Sequence, residues 1–135
     1  MTFKKFWRKK EQGQSMAEFT LVLPVLAILL FGVIQFGIAF NNYLAVTDAV
    51  RAGARQAAVS RSLPSGQRTS TVESRVRSAA SNLDQSKLEV SVSTSSNWDP
   101  GTDVTVSATY PYSISLLGMV VKSGDLQSST TERVE

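Results

Sequence analysis

Apolar residues follow three different patterns along the chain. From Phe19 to Phe40 they run almost unbroken: 22 residues carry no charge, and only Thr20 and Gln35 bear strongly polar side chains. Apolar residues would stand on every side of such a helix, so it is not an amphipathic surface helix. At a rise of ~1.5 Å per residue it spans roughly 33 Å, which suits the ~30 Å hydrocarbon core of a bilayer. A buried core helix is the competing reading, but a chain of 135 residues has too little else to wrap it. From Asn41 to Ser60 the pattern becomes one-sided. Leu44, Ala45, Asp48, Ala49, Ala52, Ala57 and Ala58 favour helix, with apolar and small residues on one face, so the helix is predicted to continue beyond the membrane. Gly53 weakens it locally and permits close packing.

The rest of the chain changes period. Ser62-Leu63-Pro64-Ser65-Gly66 reads as a loop. Ser70 and Glu73 have capping-box spacing, and Val72, Val76, Ala79, Ala80 and Leu83 follow as a core stripe, predicting a short helix from about Thr71 to Leu83. Leu88, Val90 and Val92 then alternate with polar residues, as do Val104, Val106, Ala108 and Tyr110. The turn signal Ser96-Asn97-Trp98-Asp99-Pro100-Gly101 between them predicts a long hairpin, with Trp98 packed over the sheet. Pro111 is expected to end the second strand or hold it at an edge. The apolar stretch Tyr112 to Val121 is too short to span a bilayer and is read first as core or cover for the sheet, with contact to membrane or a partner as the alternative. The polar tail Gly124 to Val134 is a weak candidate for a third strand. The predicted architecture is α+β: a long N-terminal transmembrane helix continuing into a small exported domain with a second short helix and a two- to three-stranded antiparallel sheet. Its expected divisions are a basic leader over 1–13, the extended helix over 14–60 and the exported domain over 61–135.

Charge orients this arrangement. Residues 1–13 hold Lys4, Lys5, Arg8, Lys9 and Lys10 against Glu11, a net of +4, while the remaining nine basic and ten acidic residues net −1. The basicity belongs to a tail and not to a nucleic-acid-binding face, so no nucleic acid partner is expected. After the apolar run the first charge is Asp48 and the first basic residue Arg51, so the positive-inside rule sets the N-terminus in the cytoplasm and the bulk of the chain outside. Arg51 and Arg55 share a helix face that suits an acidic partner, lipid headgroups or plain solvation. A cleavable secretory signal is the nearest alternative, but the run exceeds the usual 7–15 residues and no small-x-small site closes it.

Just before the run stands Gly13-Gln14-Ser15-Met16-Ala17-Glu18-Phe19. A carboxylate at the mouth of a membrane helix is costly to desolvate and seeks a partner or an interfacial position, and the helix dipole favours it there. This arrangement resembles a type IV prepilin site. The resemblance implies that prepilin peptidase cuts between Gly13 and Gln14. Glu18, followed by Phe19, would then pair with the free N-terminal amine of a neighbouring subunit during assembly. More specifically, Gly13-Gln14, Glu18-Phe19, Leu23-Pro24, Phe31-Gly32, Phe36-Gly37 and the stretch Ala49–Arg55 resemble the TadE-like family, minor pilins or pseudopilins of tight-adherence, Flp-type pilus systems. The likeness covers about residues 12–58. It departs from major Flp pilins, which are much shorter and usually have Glu-Tyr where this chain has Glu18-Phe19. It also departs within Ala49–Arg55, where Val50 intervenes and Ala52 stands where the family often has Glu. Pro24 would kink the helix, with Gly32 and Gly37 as further packing positions, although their five-residue spacing is not that of a close helix dimer.

The chain has no Cys and no His. That removes disulfides, thiolate metal sites and any Ser-His-Asp triad. Asp99 and Asp103 flank a turn, but two carboxylates fall short of the six to eight oxygens calcium takes. No catalytic, cofactor-binding or metal-binding residues are assigned, and the expected role is not enzymatic. The resemblance implies a bacterial inner-membrane protein with a periplasmic C-terminal domain, or a cell-surface location within a pilus. Its expected partners are the membrane, prepilin peptidase, other pilin or pseudopilin subunits and the assembly platform. The alternative is an unprocessed single-pass anchor that presents a periplasmic binding module to a secretion or pilus-assembly complex.

Overall fold

A computed structural model describes residues 7–116 and 118–135. Lys4, Lys5 and the rest of the expected leader over 1–6 lie outside the described residues, as does Leu117 in the second apolar stretch. One helix, α1, runs from Trp7 to Val59. At ~1.5 Å per residue its length is about 80 Å. A single 3-10 turn, Ser60–Ser62, closes it and leads to α2, Ser65–Ala79. Three strands follow, β1 (Glu89–Thr94), β2 (Asp103–Leu116) and β3 (Met119–Arg133), in an antiparallel sheet of order β1-β2-β3. The chain is α+β with a long N-terminal helix, as its periodicities predict, and the tail does supply a third strand.

The far half of α1 is the spine of the packed domain. Val46, Ala49, Val50, Ala54 and Ala57 are buried, and with them Ser60, whose hydroxyl donates to the Gln56 carbonyl at 2.6 Å. Against this stripe pack Val72 and Val76 from α2, Ala80 just past its end, and Val104, Val106, Ala108 and Tyr110 from β2. Leu83, Leu88, Trp98 and Val134 close the ends. Gly53 sits where three elements meet. A Cβ there would collide with Val76 Cγ2 and stand 3.3 Å from Val106 Cγ1, so only hydrogen fits. Trp98 is buried at 5% exposure, and its φ of 62° lies in the left-handed region. The opposite sheet face is a hydroxyl ladder, with Ser91 to Ser107 at 3.0 Å and Thr105 to Thr131 at 2.8 Å.

Two expectations need correction, and at Pro111 one of two expected outcomes holds. The second helix begins at Ser65 and not near Thr71, and it ends at Ala79, leaving Leu83 in the turn beyond and Ala79 itself exposed. Pro64 caps it, its carbonyl accepting the Gln67 N–H at 2.8 Å. Gly66 costs little in a first turn whose N–H groups have no helical partner. Ser70 caps nothing, because its hydroxyl donates to the Gln67 carbonyl at 3.0 Å. Pro111 does not end the second strand but lies at an edge, as the other expected outcome had it, and β2 runs through it. β1 stops opposite Thr109, so from Tyr110 onward β2 has only β3 beside it, an edge that tolerates the missing N–H. Finally, the apolar stretch ending at Val121 does not cover the sheet. It forms the tip of the β2–β3 hairpin, with Met119, Val120 and Val121 exposed. The inner face of the sheet is already occupied by α1, and the hairpin extends past the end of β1.

Candidate functional site

The residues singled out near the N-terminus lie on the exposed half of α1. Gln14 and Glu18 are one turn apart, and Gln14 Nε2 donates to Glu18 Oε1 at 3.3 Å. The Thr20 hydroxyl, the first polar group of the apolar run, donates to the Met16 carbonyl at 2.7 Å and so is satisfied within its own helix. Glu18 and Phe19 are both exposed, the latter at 63%. The Gly13–Gln14 peptide bond lies inside the helix.

Along the apolar run Leu21, Leu23, Leu26, Leu29, Phe31, Ile34, Phe36 and Phe40 are exposed on all sides, and none of the most apolar stretch is buried by the rest of the chain. An apolar surface this large and continuous is not stable in water. The helix is long and apolar enough to cross a membrane. Pro24 is accommodated within α1. A Cβ at Gly32 or Gly37 would meet nothing within 4 Å. At 100° per residue these two glycines stand roughly 140° apart, so they do not share one contact stripe. The fold thus brings Gln14 and Glu18 together but, among the described residues, sets no other element against Pro24, Gly32 or Gly37.

Two features were not legible in the sequence. Arg68 fastens the start of α2, donating from Nε to the Leu63 carbonyl at 2.9 Å, from Nη2 to the Arg61 carbonyl at 2.9 Å and from Nη1 to the Asn97 carbonyl at 3.1 Å. Its partners are backbone oxygens, which no side-chain pattern announces. The other is a cleft of about 450 Å³ where the end of the apolar run meets the sheet, lined by Phe36, Phe40 and Tyr43 from α1 and by Tyr112, Ile114 and Lys122 among others from the hairpin. Opposite Tyr112 on β3 stands Gly124, where a Cβ would press on the Tyr112 ring at 3.1 Å. Arg51 pairs with Asp48 at 3.7 Å. Both side chains are well exposed, so the pair contributes little.

No curated protein and no solved structure matches the chain. Residues 13–55 match the sequence model of the family described as TadE-like protein. That stretch, about a third of the chain, runs from the Gly13–Gln14 pair, through Glu18 and the whole apolar run, past the Gly53 packing point, and over it the chain is similar to that family.

Proposed function

We propose that this chain is a minor pilin or pseudopilin of a tight-adherence, Flp-type pilus system, matured by prepilin peptidase after Gly13. The observation that carries the reading is the TadE-like match over 13–55, laid on a helix whose apolar run is bare on every side and headed by Glu18. In this reading the protein is a structural subunit with no catalytic residue of its own. α1 crosses the bacterial inner membrane with its N-terminus in the cytoplasm and holds the packed domain in the periplasm. Cleavage would give Gln14 a free amine next to Glu18. In a medium of low dielectric that amine and the carboxylate of an adjacent subunit attract strongly, and pairing relieves the desolvation of both. Pro24, Gly32 and Gly37 lie along the surface offered to neighbouring helices.

One observation favours a second reading, the unprocessed anchor: α1 is helical from Trp7 onward, straight through the Gly13–Gln14 bond. A peptidase needs that bond opened, although glycine is among the weakest helix formers and eases local unwinding. Intact-mass spectrometry of the membrane-extracted protein, from cells with and without prepilin peptidase, separates the two. The pilin reading predicts a chain beginning at Gln14 only where the peptidase is present. Retention of the leader in both strains would favour the anchor.

A further inference from the structure

We propose that the tip of the β2–β3 hairpin is a second membrane contact, seated in the headgroup layer of the bilayer beside α1. The sheet is fixed along α1 at two points. Near the far end of the helix Gly53 meets Val106, and some fourteen residues nearer the N-terminus Phe36, Phe40 and Tyr43 share a cleft with Tyr112 and Ile114. β2 therefore runs antiparallel to α1, back toward the apolar run. The Glu135 N–H, which donates to the Ala58 carbonyl at 3.1 Å, holds the other end of the sheet at the helix terminus. Beyond Tyr112 the strands continue to the Leu116–Met119 pair. At ~3.3 Å per residue that carries the tip about 13 Å farther along the helix.

The chemistry of the tip suits a lipid surface. Tyr112 to Val121 contains no charge, and Met119, Val120 and Val121 are 63–70% exposed. The next residue, Lys122, pairs across the hairpin with Ile114 and lines the cleft together with Asp125. Tyr43 and Tyr112 stand at the same level. Aromatic rings with one polar end, and a lysine able to extend to phosphate, are the side chains that settle at a membrane–water boundary. Depth is limited by the backbone. Past Thr109 β2 has no strand on its outer side, and an open sheet edge is not tolerated in the hydrocarbon core. The tip therefore reaches no deeper than the boundary between headgroups and acyl chains, which stands roughly level with Ile34, about nine residues along α1 from Tyr43, and Ser113, Ser115 and Ser123 lie in the headgroup layer. The occupant is lipid because the patch is continuous with an apolar run that itself requires lipid. A second copy of the chain is the competing occupant.

The proposal rests on α1 being the membrane span. Because the chain has no Cys, single cysteines can be introduced into the full chain for an environment-sensitive fluorophore. Met119→Cys, Val121→Cys, Leu26→Cys and Ser129→Cys would be reconstituted in phosphatidylethanolamine–phosphatidylglycerol vesicles containing lipids spin-labelled near the headgroup or deep in the chain. Leu26 is exposed and lies about 12 Å farther along α1 than the level of the tip. The expected result is a blue shift at 119 and 121, quenched more by the shallow label than by the deep one. Position 26 should be quenched most by the deep label and position 129 by neither. Quenching at 26 without quenching at 119 or 121 would overturn the hairpin contact and leave the span intact. A blue shift at 119 that no lipid label quenches, at any dilution of protein in lipid, would assign the tip to a second copy and overturn the proposal. Absence of quenching at 26 would overturn the span and the hairpin contact together.

Discussion

Gly53 shows how opposing residue-scale effects can be weighed. Replacing it with Ala should help an isolated helix by about 1 kcal/mol. In this fold the added methyl overlaps Val76 Cγ2, and overpacking of that kind costs about 1–3 kcal/mol. Gly53→Ala is therefore expected to lower the Tm followed by circular dichroism in detergent, and combining it with Val76→Ala should recover part of the loss relative to Val76→Ala alone. Asp84 offers a test through protons. The Ser86 hydroxyl donates to Asp84 Oδ1 at 2.6 Å and the Ser86 N–H at 3.1 Å, and these bonds, with help from Lys87, hold the Asp84 carboxyl below its ordinary value of 3.8. A depressed folded pKa means that the stabilisation is present above the unfolded pKa and is lost as pH falls through the folded one. Ser86→Ala should move the Asp84 midpoint upward in a carboxyl NMR titration and flatten that acid dependence. An unchanged midpoint would show that the hydroxyl bond is not the cause.

Elements divide here into those fixed by packing and those left bare. Val106, on the buried face of β2, touches the α1 spine, so Val106→Ala should cost about 2–3 kcal/mol from lost burial and residual cavity. Val120, at the hairpin tip, is 64% exposed, and Val120→Ala should stay within about 0.5 kcal/mol in thermal unfolding. The periodicities were sufficient to anticipate α1, the buried alternation of β2 and the Val72–Val76 stripe, because each is a local repeat that burial amplifies. The start of α2 was not legible. It depends on Pro64 and on Arg68 reaching three backbone carbonyls, one of them Asn97, 29 residues away. Capping-box spacing at Ser70 and Glu73 was a coincidence of sequence, since Ser70 lies in the middle of a helix already begun. The hairpin tip misled for a different reason. Apolar residues usually mean burial, and one sequence does not show that α1 already fills the inner face of the sheet. At the N-terminal site the Gln14–Glu18 contact follows from four-residue spacing alone, whereas the cleft at Phe40 and Tyr112 joins residues that no pattern links.

At the scale of the whole molecule, a bare apolar helix and a packed domain share one continuous α1. The domain buries the far half of that helix and leaves the near half to be covered by something else. In the proposed reading lipid would cover it in a monomer, and lipid together with neighbouring helices in an assembly, where Glu18 would find its partner amine. Glu18→Ala is accordingly expected to leave cleavage after Gly13 largely intact while reducing the amount of subunit recovered with sheared pili or with the assembly platform. Recovery equal to the unsubstituted chain would remove charge pairing from the account. The most direct test is alkaline carbonate extraction of membranes, followed by addition of protease to intact spheroplasts. The account predicts that the protein stays in the pellet and that its C-terminal domain is digested from outside. Recovery of the uncut chain as a detergent-free soluble monomer would contradict it.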